Sequence, residues 1–148
     1  MKKRKLPVVF FNASVILAGL HTPSGGSGTL LDWAKKGRMT AVISELILDE
    51  VIRHTEKIGR AKSTTAKSIQ SVFTRIFPPP PSKLIDAYNK IVVDYGDSHV
   101  LAGAYQSKAE FLVTLDKKHL LTLEKKVKEM QIVSPKQLIE ILNKPASS

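Results

Sequence analysis

Apolar residues fall along this chain in two kinds of run. VVFF (8–11), MTAVIS (39–44), IVVD (91–94), FLVT (111–114) and QIVS (131–134) are short, continuous and rich in β-branched or aromatic residues, and they read as strands. Between them the spacing is helical: ASVILAGL (13–20), TLLDWAKKG (29–37), ELILDEVIRHTEKIG (45–59), the stretch 61–77, SKLIDAYN (82–89), 97–106, 117–128 and SPKQLIEIL (134–142). Gly37 and Gly59 are natural helix stops, and Ser44 and Ser134 are natural caps, with Pro135 at a first helical position that tolerates it. HTPSGGSG (21–28) is a loop by composition, and PPPP (78–81) breaks any helix. The strands lack in/out alternation, so both their faces are expected to be buried. The pattern predicts one α/β domain over 1–148, with a parallel sheet of four to five strands between two helical layers. The basic tip 1–5 and the tail 144–148 are expected to be flexible.

In such sheets chemistry gathers beyond the carboxyl ends of the strands. There the sequence puts Asn12, then Ser44 and Glu45, then Asp94 and Asp97, then Asp116. On a helical wheel with Leu46 at zero, Glu50 falls at about 40° and His54 at about 80°, within the arc of Ile47, Leu48, Val51 and Ile52. Asp97 lines up with Val100 and Leu101, whereas His99 and Gln106 point away. A buried ionised carboxylate is costly unless a cation or hydrogen-bond donors offset it. Several converging carboxylates repel one another, and a shared metal ion resolves that repulsion. The bland alternatives are that Asn12, Asp97 and Asp116 are helix caps and that Glu50 snorkels or pairs with a lysine. His21, His99 and His119 lack the spacing of a zinc site.

Composition narrows the chemistry. The 148 residues contain no cysteine, which excludes disulfide scaffolds, zinc–thiolate fingers and cysteine nucleophiles. Oxygen donors without paired histidines favour Mg²⁺ or Mn²⁺. The net charge is +10, and setting aside positions 2–5 still leaves 19 basic against 13 acidic residues. Such an excess suits a polyanion, with nucleic acid ahead of an anionic membrane surface; solubility alone is the plain alternative. No apolar run approaches the ~18–20 residues that span a membrane. No signal peptide is read, so a cytoplasmic protein is expected. A basic protein with an acidic metal cluster points to phosphodiester hydrolysis, one ion activating water and a second steadying the leaving oxygen.

These residues resemble a known family. VVFFNASVILAGL is similar to the opening strand and helix of PIN-domain proteins, which usually carry Asp where this chain has Asn12. ISELILDEV resembles their helix with the second acid, at Glu50. DYGDSHVLAGAYQSKAEFLVTLDKKHLL resembles their D-x-x-x-L-A-x-A helix and T-x-D strand end, placing the third and fourth acids at Asp97 and Asp116. QIVSPKQLIEIL resembles the closing strand and helix, so the likeness runs from Leu6 to Leu142. It implies a three-layer α/β/α fold and an Mg²⁺- or Mn²⁺-dependent ribonuclease acting on single-stranded RNA. Many small members are toxins held by a protein antitoxin, and a homodimer is expected by analogy. By the same analogy Thr114 helps order the site and Asp94 adds a peripheral carboxylate, with Glu45 an alternative to Glu50.

The departure is Asn12, which offers a carbonyl oxygen but no charge. The chain is then a weakened nuclease that keeps RNA binding, or a nuclease whose other acids suffice with Asp94 compensating, or a protein altered to suppress activity. Lys35, Lys36, Arg38, Lys117 and Lys118 are the candidate phosphate holders at the rim, against the plain reading of solvated helix ends. Ile69, Val72, Phe73 and Ile76 form a candidate pairing face, equally suited to the core. The rival function is a non-catalytic RNA- or protein-binding module.

Overall fold

The computed structural model describes residues 6–144. The expectations for the tip 1–5 and for positions 145–148 lie outside the described residues. Five strands form one parallel sheet: β1 (Val8–Phe11), β2 (Thr40–Ser44), β3 (Arg75–Phe77), β4 (Phe111–Val113) and β5 (Gln131–Val133), in the order β3-β2-β1-β4-β5. Seven α-helices connect them among the described residues: α1 (Ala13–His21), α2 (Gly26–Lys35), α3 (Glu45–His54), α4 (Lys62–Val72), α5 (Ser82–Tyr88), α6 (Ser98–Gln106) and α7 (Pro135–Asn143). α6 lies across β1, β2 and β4 with α5 beside it, while α1, α2, α3, α4 and α7 pack on one another as the other layer. This is the three-layer α/β/α arrangement that the runs of apolar residues predict. Val9, Phe10 and Phe11 are all fully buried because β1 has strands on both sides and helices on both faces.

Close backbone approach sets the helix positions. A Cβ on Gly103 of α6 would lie 2.6 Å from Cζ of Phe10, so the bare glycine lets α6 press onto β1. A Cβ on Gly28 would lie 2.1 Å from the Pro23 carbonyl oxygen. The loop expected over 21–28 is accordingly short and tightly packed. α1 continues through His21, and α2 starts at Gly26. Ser134 caps α7 as expected: its hydroxyl accepts from the Gln137 N–H at 3.1 Å, and the Gln137 side chain accepts from the Ser134 N–H at 2.8 Å.

Three expected elements differ. The helix over 61–77 ends at Val72, and the next residues turn extended to form β3 against Val42–Ser44. Phe73 at that break stacks edge-on against Phe11 at 5.2 Å, and burial of this ring outweighs one more helical turn. Ile69 and Phe73 are therefore core, with Val72 and Ile76 packed against it, so the expected pairing face is not free. IVVD is no strand: Ile91 bonds back to the Tyr88 carbonyl at 3.1 Å in a turn, and Val93 is 78% exposed. Only Leu121–Leu123 of the helix expected over 117–128 forms, as a single 3₁₀ turn.

Candidate metal centre

The chain reverses direction across the sheet between β1 and β4, and their carboxyl ends open onto a common cleft. Asn12 follows β1, and its N–H donates to the Val113 carbonyl of β4 at 3.0 Å. Thr114 follows β4 and is likewise tied to Val133 of β5 at 3.0 Å. The ladder thus carries one residue past each strand and fixes Asn12, Thr114 and Asp116 at one edge. Asn12, Ser14, Glu50, Asp94, Asp97 and Asp116 line a cleft of about 380 Å³ there. A larger cavity, about 520 Å³, lies at the other end of α6 among Pro81, Leu84, Tyr105 and Glu129, and Glu129 is the one acid lining it among the described residues.

Each acid arrives by its own local route. Glu50 comes from α3, half-buried, with Oε1 3.7 Å from His99 Nε2. That imidazole is the main influence holding the Glu50 carboxyl below its usual range, against burial that pushes it up. Asp97 stands just before α6 without capping it, so the cap alternative fails for this residue. Its Oδ2 is buried without a hydrogen-bond partner. Burial pushes the Asp97 carboxyl above its usual range; repulsion from Asp116 and Asp94 adds to this, against the pull of His119 and His99. Asp116 is partly satisfied, since its Oδ1 accepts from the His119 N–H at 2.9 Å. Asp94 turns the preceding segment by accepting from the Gly96 N–H at 2.9 Å. Glu45 is exposed at the start of α3 and is absent from the cleft lining.

Asn12 is engaged at both ends. Its Oδ1 accepts from the Ala13 N–H at 2.8 Å, so the cap alternative holds here. Its Nδ2 donates to Thr114 Oγ1 at 2.8 Å, and that oxygen also accepts from the Asp116 N–H at 3.1 Å. An aspartate could keep this geometry by reversing one bond, accepting from the Thr114 hydroxyl instead.

Two histidines approach the acids. One donor atom each from Asp97, Asp116 and His119 lies within 4.8 Å of the other two. His99, expected to point away, instead faces Glu50 across the gap between α6 and α3. Neither was visible in sequence, because both contacts join segments whose packing the wheel does not contain. A short turn carries His119 back to Asp116, whose Oδ1 accepts from the His119 N–H as a helix cap would, so the cap alternative holds for Asp116 as well. Among the candidate phosphate holders, Lys117 and Lys118 follow Asp116 directly and are exposed. Lys35, Lys36 and Arg38 do not reach this rim. They precede the amino end of β2, where Thr40 bonds to Pro7, at the opposite edge of the sheet. There Lys36 pairs with Asp32 at 2.9 Å, and Arg38 stacks on Trp33 at 3.8 Å. Arg53, exposed on α3, adds the weakest of the pulls that lower the Glu50 carboxyl.

The donor set suits a divalent cation: carboxylates drawn close, one buried oxygen without a partner, and mutual repulsion that no bonded lysine or arginine relieves among the described residues. No helix of the described residues is long and apolar enough to cross a membrane. Comparison with curated proteins finds no match. A family model, that of the PIN domain, matches residues 8–118, which hold β1 to β4 and all four residues Asn12, Glu50, Asp97 and Asp116. PIN domains are a family of nuclease fold that typically binds divalent metals, and this chain belongs to it.

Proposed function

We propose that the protein is a divalent-metal-dependent endoribonuclease acting on single-stranded RNA, with Glu50, Asp97 and Asp116 as its metal-binding acids and Asn12 in the fourth, weakened position. The observation that supports this most is the buried Asp97 oxygen without a partner, facing a second and third carboxylate. When bound, Mg²⁺ or Mn²⁺ supplies Lewis-acid polarisation of the phosphate and an activated water. The chain's own residues do the rest. Thr114 fixes Asp116 through its N–H and thereby joins it to Asn12. His99 keeps Glu50 ionised. Arg53, Lys117 and Lys118 attract the phosphate backbone at the rim. Asp94, held in its turn by Gly96, adds charge at the edge.

The test is cleavage of a single-stranded RNA with Mn²⁺, comparing the wild-type chain, Asn12→Asp and Asp97→Asn. Weak cleavage by the wild type, stronger cleavage by Asn12→Asp and none by Asp97→Asn is the expected order. A second reading rests on the Asn12 amide, whose oxygen and nitrogen are both spent within the protein. On it the fold is a non-catalytic RNA-binding module, and neither the wild type nor Asn12→Asp cleaves while both retain RNA. If the chain is the toxin of a toxin–antitoxin pair, expressing Asn12→Asp alone arrests growth and a partner protein relieves it.

A further inference from the structure

We infer that His119 is a nitrogen donor to the same cation and that it turns the centre towards a first-row transition ion, Mn²⁺ in preference to Mg²⁺. This rests on the metal-centre reading above and goes beyond it, since His119 lies just past the segment that matches the family.

The geometry begins with the backbone. Asp116 Oδ1 accepts from the His119 N–H at 2.9 Å, and the Asp116 carbonyl accepts from Leu121 at 2.9 Å. Leu120, fully buried, pins the turn to the core. The imidazole is thereby folded back, with Nδ1 3.5 Å from Asp116 Oδ2. Its ligating atom, one from Asp116 and one from Asp97 lie within 4.8 Å of one another, a span that a single ion can bridge. Asp97 brings a buried oxygen with no other partner. Asn12 meanwhile brings no charge, and its oxygen already serves Ala13. Within that span the set is two carboxylates and an imidazole, with Glu50 and Asp94 lining the same cleft. Mg²⁺ is hard, keeps its waters and takes oxygen donors. An imidazole adds affinity chiefly for first-row transition ions.

A paramagnetic probe reads the ligand directly. With Mn²⁺ bound to the full chain, pulsed electron paramagnetic resonance is expected to show the ¹⁴N modulation of a directly bound imidazole. His119→Gln is expected to remove that modulation and to weaken Mn²⁺ by about tenfold, while Mg²⁺, measured by displacement of Mn²⁺, changes less than about threefold. Mn²⁺ bound with no nitrogen modulation overturns the inference, and so does modulation that survives in His119→Gln and disappears in His99→Gln. In either case the carboxylate centre stands if Asp97→Asn abolishes binding. If the unmutated chain binds no Mn²⁺, the centre and the inference fall together. The modulation of the unmutated chain needs no variant to fold.

Discussion

Carboxylates at the two ends of α6 are treated in opposite ways. Glu129, beside the larger cavity, accepts from the Tyr88 hydroxyl at 2.6 Å and from the Lys128 N–H at 3.0 Å. The Tyr88 hydroxyl, followed by that N–H, holds the Glu129 carboxyl below its usual range, and burial, with the same pairing adding to it, pushes the Tyr88 phenol well up. At the cleft, Asp97 keeps one buried oxygen unpaired, with Asp94 and Asp116 as neighbours and its carboxyl pushed up. The first acid is satisfied by the chain itself and acts as structure. The second is left unsatisfied by the chain, which is the condition for a site that needs something from outside.

That contrast can be broken most forcefully at the cleft. Asp97→Asn or Asp116→Asn is expected to weaken divalent-ion binding by about 100-fold or more, read by calorimetry. Asn12→Asp should act in the opposite sense, tightening Mn²⁺ by about tenfold through the added charge while lowering the melting temperature of the metal-free protein. Unchanged affinity in Asn12→Asp would place position 12 outside the ion's reach.

Smaller effects sharpen the comparison through stability. Tyr88→Phe is expected to cost about 1 kcal/mol at neutral pH, allowing for the solvent around Glu129, or roughly 2–4 °C in melting temperature. Because the folded-state pKa of Glu129 is depressed, this contribution is complete above its unfolded value, near ~4.3, and is lost as pH falls through the depressed value. The deficit of Tyr88→Phe should therefore shrink in acid. Asp97→Asn should do the reverse and stabilise the metal-free protein at pH 7 by about 0.5 kcal/mol, since Asp97 is partly exposed and its repulsion partly screened. Its raised pKa means that the wild type recovers this difference as pH falls towards ~4, so the two urea curves should converge there. A destabilised Asp97→Asn at pH 7 would show that the acid is a structural partner after all.

The residues that made the fold legible are those whose information is local. VVFF, TAVIS and FLVT have the length and branching of buried strands, and Ser134-Pro135 states its helix start outright. Where local signals compete, the tertiary structure decided. Phe73 has a place against Phe11 only once β1 exists, so helix gave way to strand at Arg75–Phe77. IVVD has the composition of a strand but lies in the turn after α5, with Val93 exposed.

Within the cleft the division is the same. The ends of β1 and β4 were enough to nominate Asn12 and Asp116, because a parallel sheet brings its carboxyl ends to one edge, and helical phase nominated Glu50 and Asp97; the strand expected just before Asp97 does not form. Partners were beyond the sequence. His99 meets Glu50 across two helices, Asn12 bonds to Thr114 across 102 residues, and His119 comes close to Asp97 from a separate segment. A one-dimensional pattern carries the phase of each element about its own axis. Which side chains face each other across the gaps depends on helix rotation and approach, and those are set by packing contacts such as Gly103 on Phe10.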